Sequence, residues 1–250
     1  MSADATTPSG LLLLDKPIGP TSMQACAAVR ARLRRGGAPK RVKVGHGGTL
    51  DPLATGLLVI LVGKATPLCA TIMAGEKEYE AEINLSGVSP TDDAEGEISP
   101  VEVKTIPTME DLARVSERFV GTIQQTPPAY SAVHVGGVRA YQLARQGKLE
   151  RLASGLVSRP VEVGRIETLS YEWPVWRARV VCGKGTYIRV LARDLGAALG
   201  VGGYLTGLRR TRIGTFDVRE ARAMTELPDV LKQQDLMPIP RLDGSPIRPS

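Results

Sequence analysis

The amino-acid sequence predicts an α+β protein with a mixed, largely antiparallel central sheet and flanking helices. Three observations carry that prediction. Apolar and charged residues alternate from Glu78 to Leu85, the two-residue period of a half-buried strand. Apolar runs at Leu11–Leu14 and Leu57–Val62 read as buried strands. Helical stretches such as Met23–Arg35 and Ile188–Leu199 are interspersed without the strict βαβ rhythm of a parallel sheet.

Residues 1–9 are small, polar and aperiodic, and are expected to be disordered. After the strand Leu11–Leu14, the breakers Pro17, Gly19 and Pro20 precede Thr21 and Ser22, either of which suits the cap of a helix from Met23 to Arg35. Gly36 and Gly37 stop that helix. A glycine-studded loop, Gly45–Gly56, leads into the strand Leu57–Val62, and a short helix is expected over Thr66–Met73. In the alternating strand, Tyr79, Ala81, Ile83 and Leu85 share one face and Glu78, Glu80 and Glu82 the other. Asp92, Asp93, Glu95 and Glu97 read as a solvated acidic loop. Thr108 with Asp111 resembles a capping box for a helix ending near Phe119. From Thr126 to Gly147 two prolines, a tight turn at Gly136–Gly137 and a short helix carry no strong core signal. With Arg139, Arg145 and Lys148, that tract reads as a projecting arm. Val161–Ser170 and Val175–Cys182 are expected to pair. The helix Ile188–Leu199 and a strand within Leu205–Val218, bearing Arg209, Arg210 and Arg212, complete the chain.

Composition narrows the function classes. The chain has 250 residues, 42% of them apolar, a net charge of +6 and a pI near 9.4, which favours a polyanionic partner. The charge is concentrated: between Arg30 and Lys43 lie seven cations and no anion. Arg32, Arg34, Arg35, Lys40, Arg41 and Lys43 are therefore expected to touch phosphates, as are Arg209 and Arg210. Three scattered cysteines argue against a disulfide framework and fit a reducing, cytoplasmic setting. The two histidines have no zinc-site spacing, and no EF-hand pattern is present, so no metal site is expected. No apolar run approaches the length of a membrane span or a signal-peptide core. Neither a phosphate-binding P-loop, nor a dinucleotide fingerprint, nor a G-x-S-x-G elbow occurs.

Taken singly, the polar residues of the glycine loop suggest little. An Asp-Pro pair such as Asp51–Pro52 is a common turn former. Tyr79 and Tyr187 pass for core aromatics, and Arg189 for a first-turn helix residue with a surface partner. The longer pattern is more specific. Gly45-His46-Gly47-Gly48-Thr49-Leu50-Asp51-Pro52-Leu53-Ala54-Thr55-Gly56-Leu57-Leu58 resembles the catalytic motif of the TruB-type tRNA pseudouridine synthases. In that family's order come also Leu14-Asp15-Lys16-Pro17 with Gly19-Pro20-Thr21-Ser22, Lys77-Glu78-Tyr79, and Pro127-Pro128-Ala129-Tyr130-Ser131-Ala132. Gly183-Lys184-Gly185-Thr186-Tyr187-Ile188-Arg189 and Leu208-Arg209-Arg210-Thr211 complete the set.

The resemblance implies the pseudouridine synthase fold and isomerisation of a T-loop uridine, conventional position 55, without a cofactor. Asp51 is implied as the catalytic carboxylate, Tyr79 as the ring that stacks on the target base, and Arg189 as Asp51's charge partner. Tyr187 is implied beside the aspartate and Leu208 as a wall of the pocket. His46 is implied to help hold the flipped loop bases, and Lys16 to lie near the pocket. The implied organisation is a catalytic domain over 10–240, with 122–150 as a projecting RNA-binding insertion and 241–250 as a short tail. Longer family members carry a C-terminal PUA domain. The stretch after Phe216 is shorter than the roughly 50 residues a domain needs, so no complete PUA domain is expected. The resemblance implies the tRNA T stem-loop as partner, and the protein is expected to be monomeric, with no membrane or metal involved. The rival is a non-catalytic tRNA-binding or tRNA-folding protein on the same fold.

Overall fold

A computed structural model of the chain describes residues 7–130, 133–147, 152 and 155–239. Its strands are β1 Gly10–Lys16, β2 Val44–His46, β3 Thr55–Val62, β4 Lys77–Asn84, β5 Gly87–Val88, β6 Ser99–Pro100, β7 Gly121–Gln125, β8 His134–Val135, β9 Val138–Arg139, β10 Arg159–Glu172, β11 Val175–Cys182, β12 Tyr204–Ile213, β13 Phe216–Asp217 and β14 Arg222–Ala223. The main helices are α1 Ser22–Arg35, α2 Cys69–Ala74, α3 Met109–Arg118, α4 Ala140–Arg145 and α5 Ile188–Ala198. The α+β class, the mixed sheet and the flanking helices are those expected from the sequence. The chain divides into two compact units, Met1–Lys77 with Arg209–Ser250, and Glu78–Leu208.

In the first unit the strand order is β14–β1–β3–β12, with β2 paired to β3 and β13 to β12. β1 and β3 run antiparallel over their whole length, Gly10 opposite Val62 and Lys16 opposite Gly56. β3 and the end of β12 run parallel, Arg210 opposite Gly56. Every residue from Leu57 to Val62 is fully buried, as a strand covered on both faces must be. Leu11, Leu13, Leu57, Val59, Leu61, Ile72 and Ile213 form one core cluster. Thr21 caps α1 through a capping box with Gln24, and Gly36 ends it. Ser9, the last residue of the stretch expected to be disordered, is held by hydrogen bonds. The Ser9 N–H donates to Gln233 Oε1 (2.8 Å) and its hydroxyl accepts from Lys64 N (3.1 Å), so Ser9 is pinned. Residues 1–6 and the tail 241–250 lie outside the described residues.

In the second unit the order is β12–β4–β11–β10–β7. β4 alternates as its sequence requires, burying Tyr79, Ala81 and Ile83. Its glutamate face is cross-linked rather than simply solvated. Arg177 on β11 pairs with Glu82 (2.8 Å), and Arg179 reaches Glu78 (3.9 Å), Glu80 (3.8 Å) and Glu167 (3.2 Å). Trp176 is fully buried with its Nε1–H on Thr168 Oγ1 (3.0 Å). The Thr108–Asp111 capping box starts α3, and Phe119 ends it. The tract expected to lack a core has a small one. A hairpin, β8–β9, and α4 enclose Val135, Ala140, Leu143 and Leu152. Ser131, Ala132 and Lys148 lie outside the described residues.

Candidate active site

The Gly45–Gly56 loop joins the end of β2 to the start of β3, and its glycines are there for space. A Cβ on Gly47 would lie 2.4 Å from Ile72 Cγ2. Gly56 has φ +99°, and its Cβ would lie 2.3 Å from the Arg210 carbonyl oxygen. Between them Asp51 opens a turn closed by the Ala54 N–H on the Asp51 carbonyl (3.1 Å). The loop is fastened from two directions. The buried Ser22 hydroxyl donates to the Leu50 carbonyl (2.9 Å) and accepts the Leu50 N–H (2.8 Å), while the Gly19 N–H donates to the Pro52 carbonyl (2.9 Å). From β12, Arg210 donates Nε to Leu57 O (2.8 Å), Nη1 to Thr49 O (3.1 Å) and Nη2 to Gly48 O (3.1 Å).

Arg210 therefore does not belong to the RNA-facing set in which the sequence placed it. It is 1% exposed, and its donors are spent on main-chain carbonyls, the condition under which a buried guanidinium is tolerated. Lys16 is 0% exposed and donates Nζ to the carbonyls of Pro17 (2.9 Å) and Pro20 (3.0 Å). Burial lowers the Lys16 pKa, the Asp51 charge opposes that, and Arg210 adds to it. Lys16 thus shapes the turn carrying Ser22 and feels the Asp51 charge. His46, half-buried at the end of β2, has its pKa lowered by burial first and by Arg210 second, against an opposing Gly48 main-chain bond. Its buried Nδ1 has no hydrogen-bond partner. Asp51, Lys16, His46 and Arg210 form one neighbourhood in the first unit.

The other cations expected on phosphate differ among themselves. Arg34, Arg35, Lys40, Arg41 and Lys43 are exposed. Arg32 is partly buried, with Nη1 on Ala28 O (3.5 Å) and Nε without a partner. Arg34 Nη2 donates to the Lys40 carbonyl, which folds the Gly36–Lys40 connection back on the helix end. Arg209 is held by a bidentate pair with Asp15, Nη1–Oδ1 3.1 Å and Nη2–Oδ2 2.7 Å.

In the second unit Tyr79 on β4 is 9% exposed, and Leu208, partly buried, stands on the adjacent strand β12. Tyr187 is the residue before α5. Its N–H donates to Gln125 Oε1 (3.0 Å) and its carbonyl accepts from Gln125 Nε2 (3.2 Å), so a buried glutamine fixes its main chain. Arg159 lies over the Tyr187 ring, Cζ 5.6 Å from the centroid. Arg189, in the first turn of α5, pairs through Nη1 with Asp93 Oδ2 at 3.1 Å, the side chains 11% and 4% exposed.

That pair overturns the expectation of a solvated acidic loop. Asp93 also accepts from Thr91 Oγ1 (2.6 Å) and Glu95 N–H (3.1 Å). Asp92 is buried, takes a positive φ of 62° and pairs with Arg193 (3.1 Å). Burial raises the Asp92 carboxyl pKa, while Arg193 and Arg189 pull it down. Asp93, Gln125 and Ser22, which hold Arg189, the Tyr187 main chain and the Leu50 main chain, were not singled out as site residues by sequence reasoning. Only Ser22 carried a signal, lying within a matched motif. Among the described residues, no group of three or more His, Cys, Asp or Glu side chains could hold a metal ion, and no helix is long and apolar enough to cross a membrane.

Comparison with known families decides the affiliation. A family model described as the N-terminal domain of TruB family pseudouridylate synthases matches residues 35–188, and the tRNA pseudouridylate synthase B C-terminal domain matches 189–239. The chain belongs to the TruB family of pseudouridylate synthases. This TruB-family chain is 43% identical to the tRNA pseudouridine synthase B of Parabacteroides distasonis, over 89% of its length and 93% of the relative's. It is also 43% identical to that of Mycobacterium tuberculosis strain H37Rv, over 90% and 74% respectively. Among solved structures it resembles a Cbf5–Nop10–Gar1 complex, with TM-score 0.65 and 30% identity over 91% of this chain and 59% of that one. It also resembles an H/ACA ribonucleoprotein bound to a substrate RNA containing 2′-deoxyuridine, with TM-score 0.61 and 29% identity over 87% and 52%. The TruB-family chain thus spans little more than half of those two structures' chains, and its α+β architecture is the pseudouridine synthase fold.

Proposed function

We propose that this chain isomerises a uridine of the tRNA T stem-loop, at conventional position 55, to pseudouridine, acting as a monomer in the cytoplasm. The observation that carries the reading is the fully matched segment Gly45–Leu58, with its main chain fastened on both sides of Asp51. The tRNA substrate is drawn from the relatives named tRNA pseudouridine synthase B.

The reaction breaks the N1–C1′ bond, turns the uracil, forms a C5–C1′ bond and releases the C5 hydrogen as a proton, while N1 gains one. No net redox change or phosphate transfer occurs. Asp51 supplies the carboxylate that initiates bond cleavage. Tyr79 offers a ring to the displaced base and a hydroxyl for proton transfer, help typically worth roughly 10²–10⁴ in rate. The family resemblance assigns Tyr187, Leu208 and His46 to the base and its loop neighbours, and Arg189, held by Asp93 at 3.1 Å, to charge support. Extruding the base costs a few kcal/mol, and aromatic stacking returns about 1–3 kcal/mol of it. Phosphate contacts from the exposed cations of 34–43, from Arg209, and from the insertion 122–150 supply more.

Tritium release from tRNA labelled at uracil C5 tests the reaction. The wild-type chain should release it and Asp51→Asn should not, while tRNA affinity stays within about tenfold because phosphate contacts dominate binding. Turnover by a clean Asp51→Asn preparation near the wild-type rate would sink the assignment. Tight binding with no release by the wild type would make the chain a tRNA-binding protein.

A further inference from the structure

We propose that Arg210 is a positioning residue for Asp51: its buried guanidinium ties together the main chain before and after the Asp51 turn and so sets where the carboxylate stands. The proposal rests on the reading of Asp51 as the catalytic carboxylate. Its acceptors are Gly48 and Thr49 on one flank of Asp51 and Leu57 on the other. A planar guanidinium, with five diverging donors, can bridge carbonyls on two chain segments; a lysine ammonium is a compact point with a different reach. At 1% exposure no solvent replaces those donors, so their loss leaves three carbonyls short of a partner.

Arg210 also grips the loop with its own backbone. It lies opposite Gly56 in the parallel β3–β12 register, where there is no room for a Cβ. Ser22 holds Leu50 from α1. Asp51 therefore stands between fixed points at 48–50 and 56–57. Displacing a reacting group by about 1 Å costs on the order of 10²-fold in rate, so the strut should act on turnover rather than on affinity.

The experiment compares Arg210→Met, Arg210→Lys and Ser22→Ala by C5-tritium release, with amide hydrogen exchange on the folded proteins. We expect Arg210→Met to lower kcat about 10²-fold with KM within about threefold. Arg210→Lys, which keeps the charge but not the fork, should recover only a minor part. Ser22→Ala should lose less. The Ser22→Ala/Arg210→Lys double variant should lose less than the product of the single losses, since both act on one loop. Amides of Gly47, Leu50 and Ala54 should exchange faster while those of β10 and β11 keep their protection. A folded Arg210→Met or Arg210→Lys variant with wild-type kcat would overturn the proposal, as would a loss that tracks the folded fraction with loop exchange unchanged. Should Arg210→Met not fold, Arg210→Lys and Ser22→Ala carry the test. Normal turnover by Asp51→Asn would instead overturn the function beneath it.

Discussion

The segment from Arg30 to Lys43 and the stretch Arg209–Arg212 of β12 are both rich in cations, yet they meet water differently. On the first, five side chains are exposed, and the ion pair of Arg35 with Asp229 (3.4 Å) has both partners in solvent, where such pairs contribute little. On the second, Arg209 is locked on Asp15, Arg210 on three carbonyls, and Arg212 on Glu76 (2.6 Å) and the Gly214 carbonyl (2.9 Å). A helix end followed by a loop leaves its guanidinium groups in solvent, where their weak pairs exchange readily for a ligand's. On an inner strand the buried Arg210 must be satisfied within the protein, because a buried donor without an acceptor is costly, and its partly exposed neighbours are paired as well. Of these two segments, the first therefore holds the cations that are exposed to a polyanion.

The sharpest way to break the locked segment is Gly56→Ala. It places a methyl 2.3 Å from the Arg210 carbonyl and forces alanine to hold φ +99°. The backbone strain alone costs about 1–3 kcal/mol, and the clash adds to it. We expect a loss of about 3 kcal/mol or more, read from the urea midpoint and slope. A loss under about 1 kcal/mol would mean that β12 can move off the loop cheaply.

The exposed segment is probed by replacing Arg34, Arg35, Lys40, Arg41 and Lys43 together with glutamine. The unfolding midpoint should stay close to wild type, since the side chains are solvated. tRNA binding should weaken, and each lost phosphate contact should flatten the log–log salt dependence by about 0.7–0.9. An unchanged slope would return these cations to an ordinary solvated helix face. Arg32 is kept in this variant because it is partly buried and tied to the helix main chain.

Most of the fold was legible because its signals are local. The alternation of β4, the helix cap at Thr21 or Ser22, the capping box at Thr108, and the apolar runs of β1 and β3 each sit within a few residues of sequence. The interior polar contacts were not legible, because their partners are distant. Asp92 and Asp93 read as a solvated turn until Arg193 and Arg189, about a hundred residues on, are seen to neutralise them. Arg210 looked like its neighbour Arg209, and only the strand register separates a strut from a half-exposed charge. Asp51 stood out in the sequence only through its long motif, whereas the serine that clamps neighbouring Leu50 looked like a helix cap. The small core of the 129–156 region escaped because its apolar residues are few and irregularly spaced.

The smallest expected effect separates the two basic segments through pH. Burial, and then the Arg210 charge, hold the His46 pKa below its usual 6.5. Such a histidine binds its proton less readily when folded than when unfolded, so the unfolded state takes up more protons as pH falls. Its contribution to stability is therefore complete above pH 6.5 and declines as pH drops through 6.5 toward the lowered value. Asp92 has the opposite sign, since its raised carboxyl pKa favours the folded state on acidification, with a window that begins at 3.8. It is shared by every variant and cancels in differences. Urea midpoints at about pH 7.5 and about pH 5.5 should fall less for His46→Gln than for wild type. The glutamine-substituted 34–43 variant should keep the wild-type fall, because nothing in its exposed cluster contributes to the His46 shift. Equal falls for wild type and His46→Gln would show that protonated His46 is accommodated at no cost. A flattened response in the 34–43 variant would show that the exposed cations act on the loop after all, and the division between free and locked arginines would not hold.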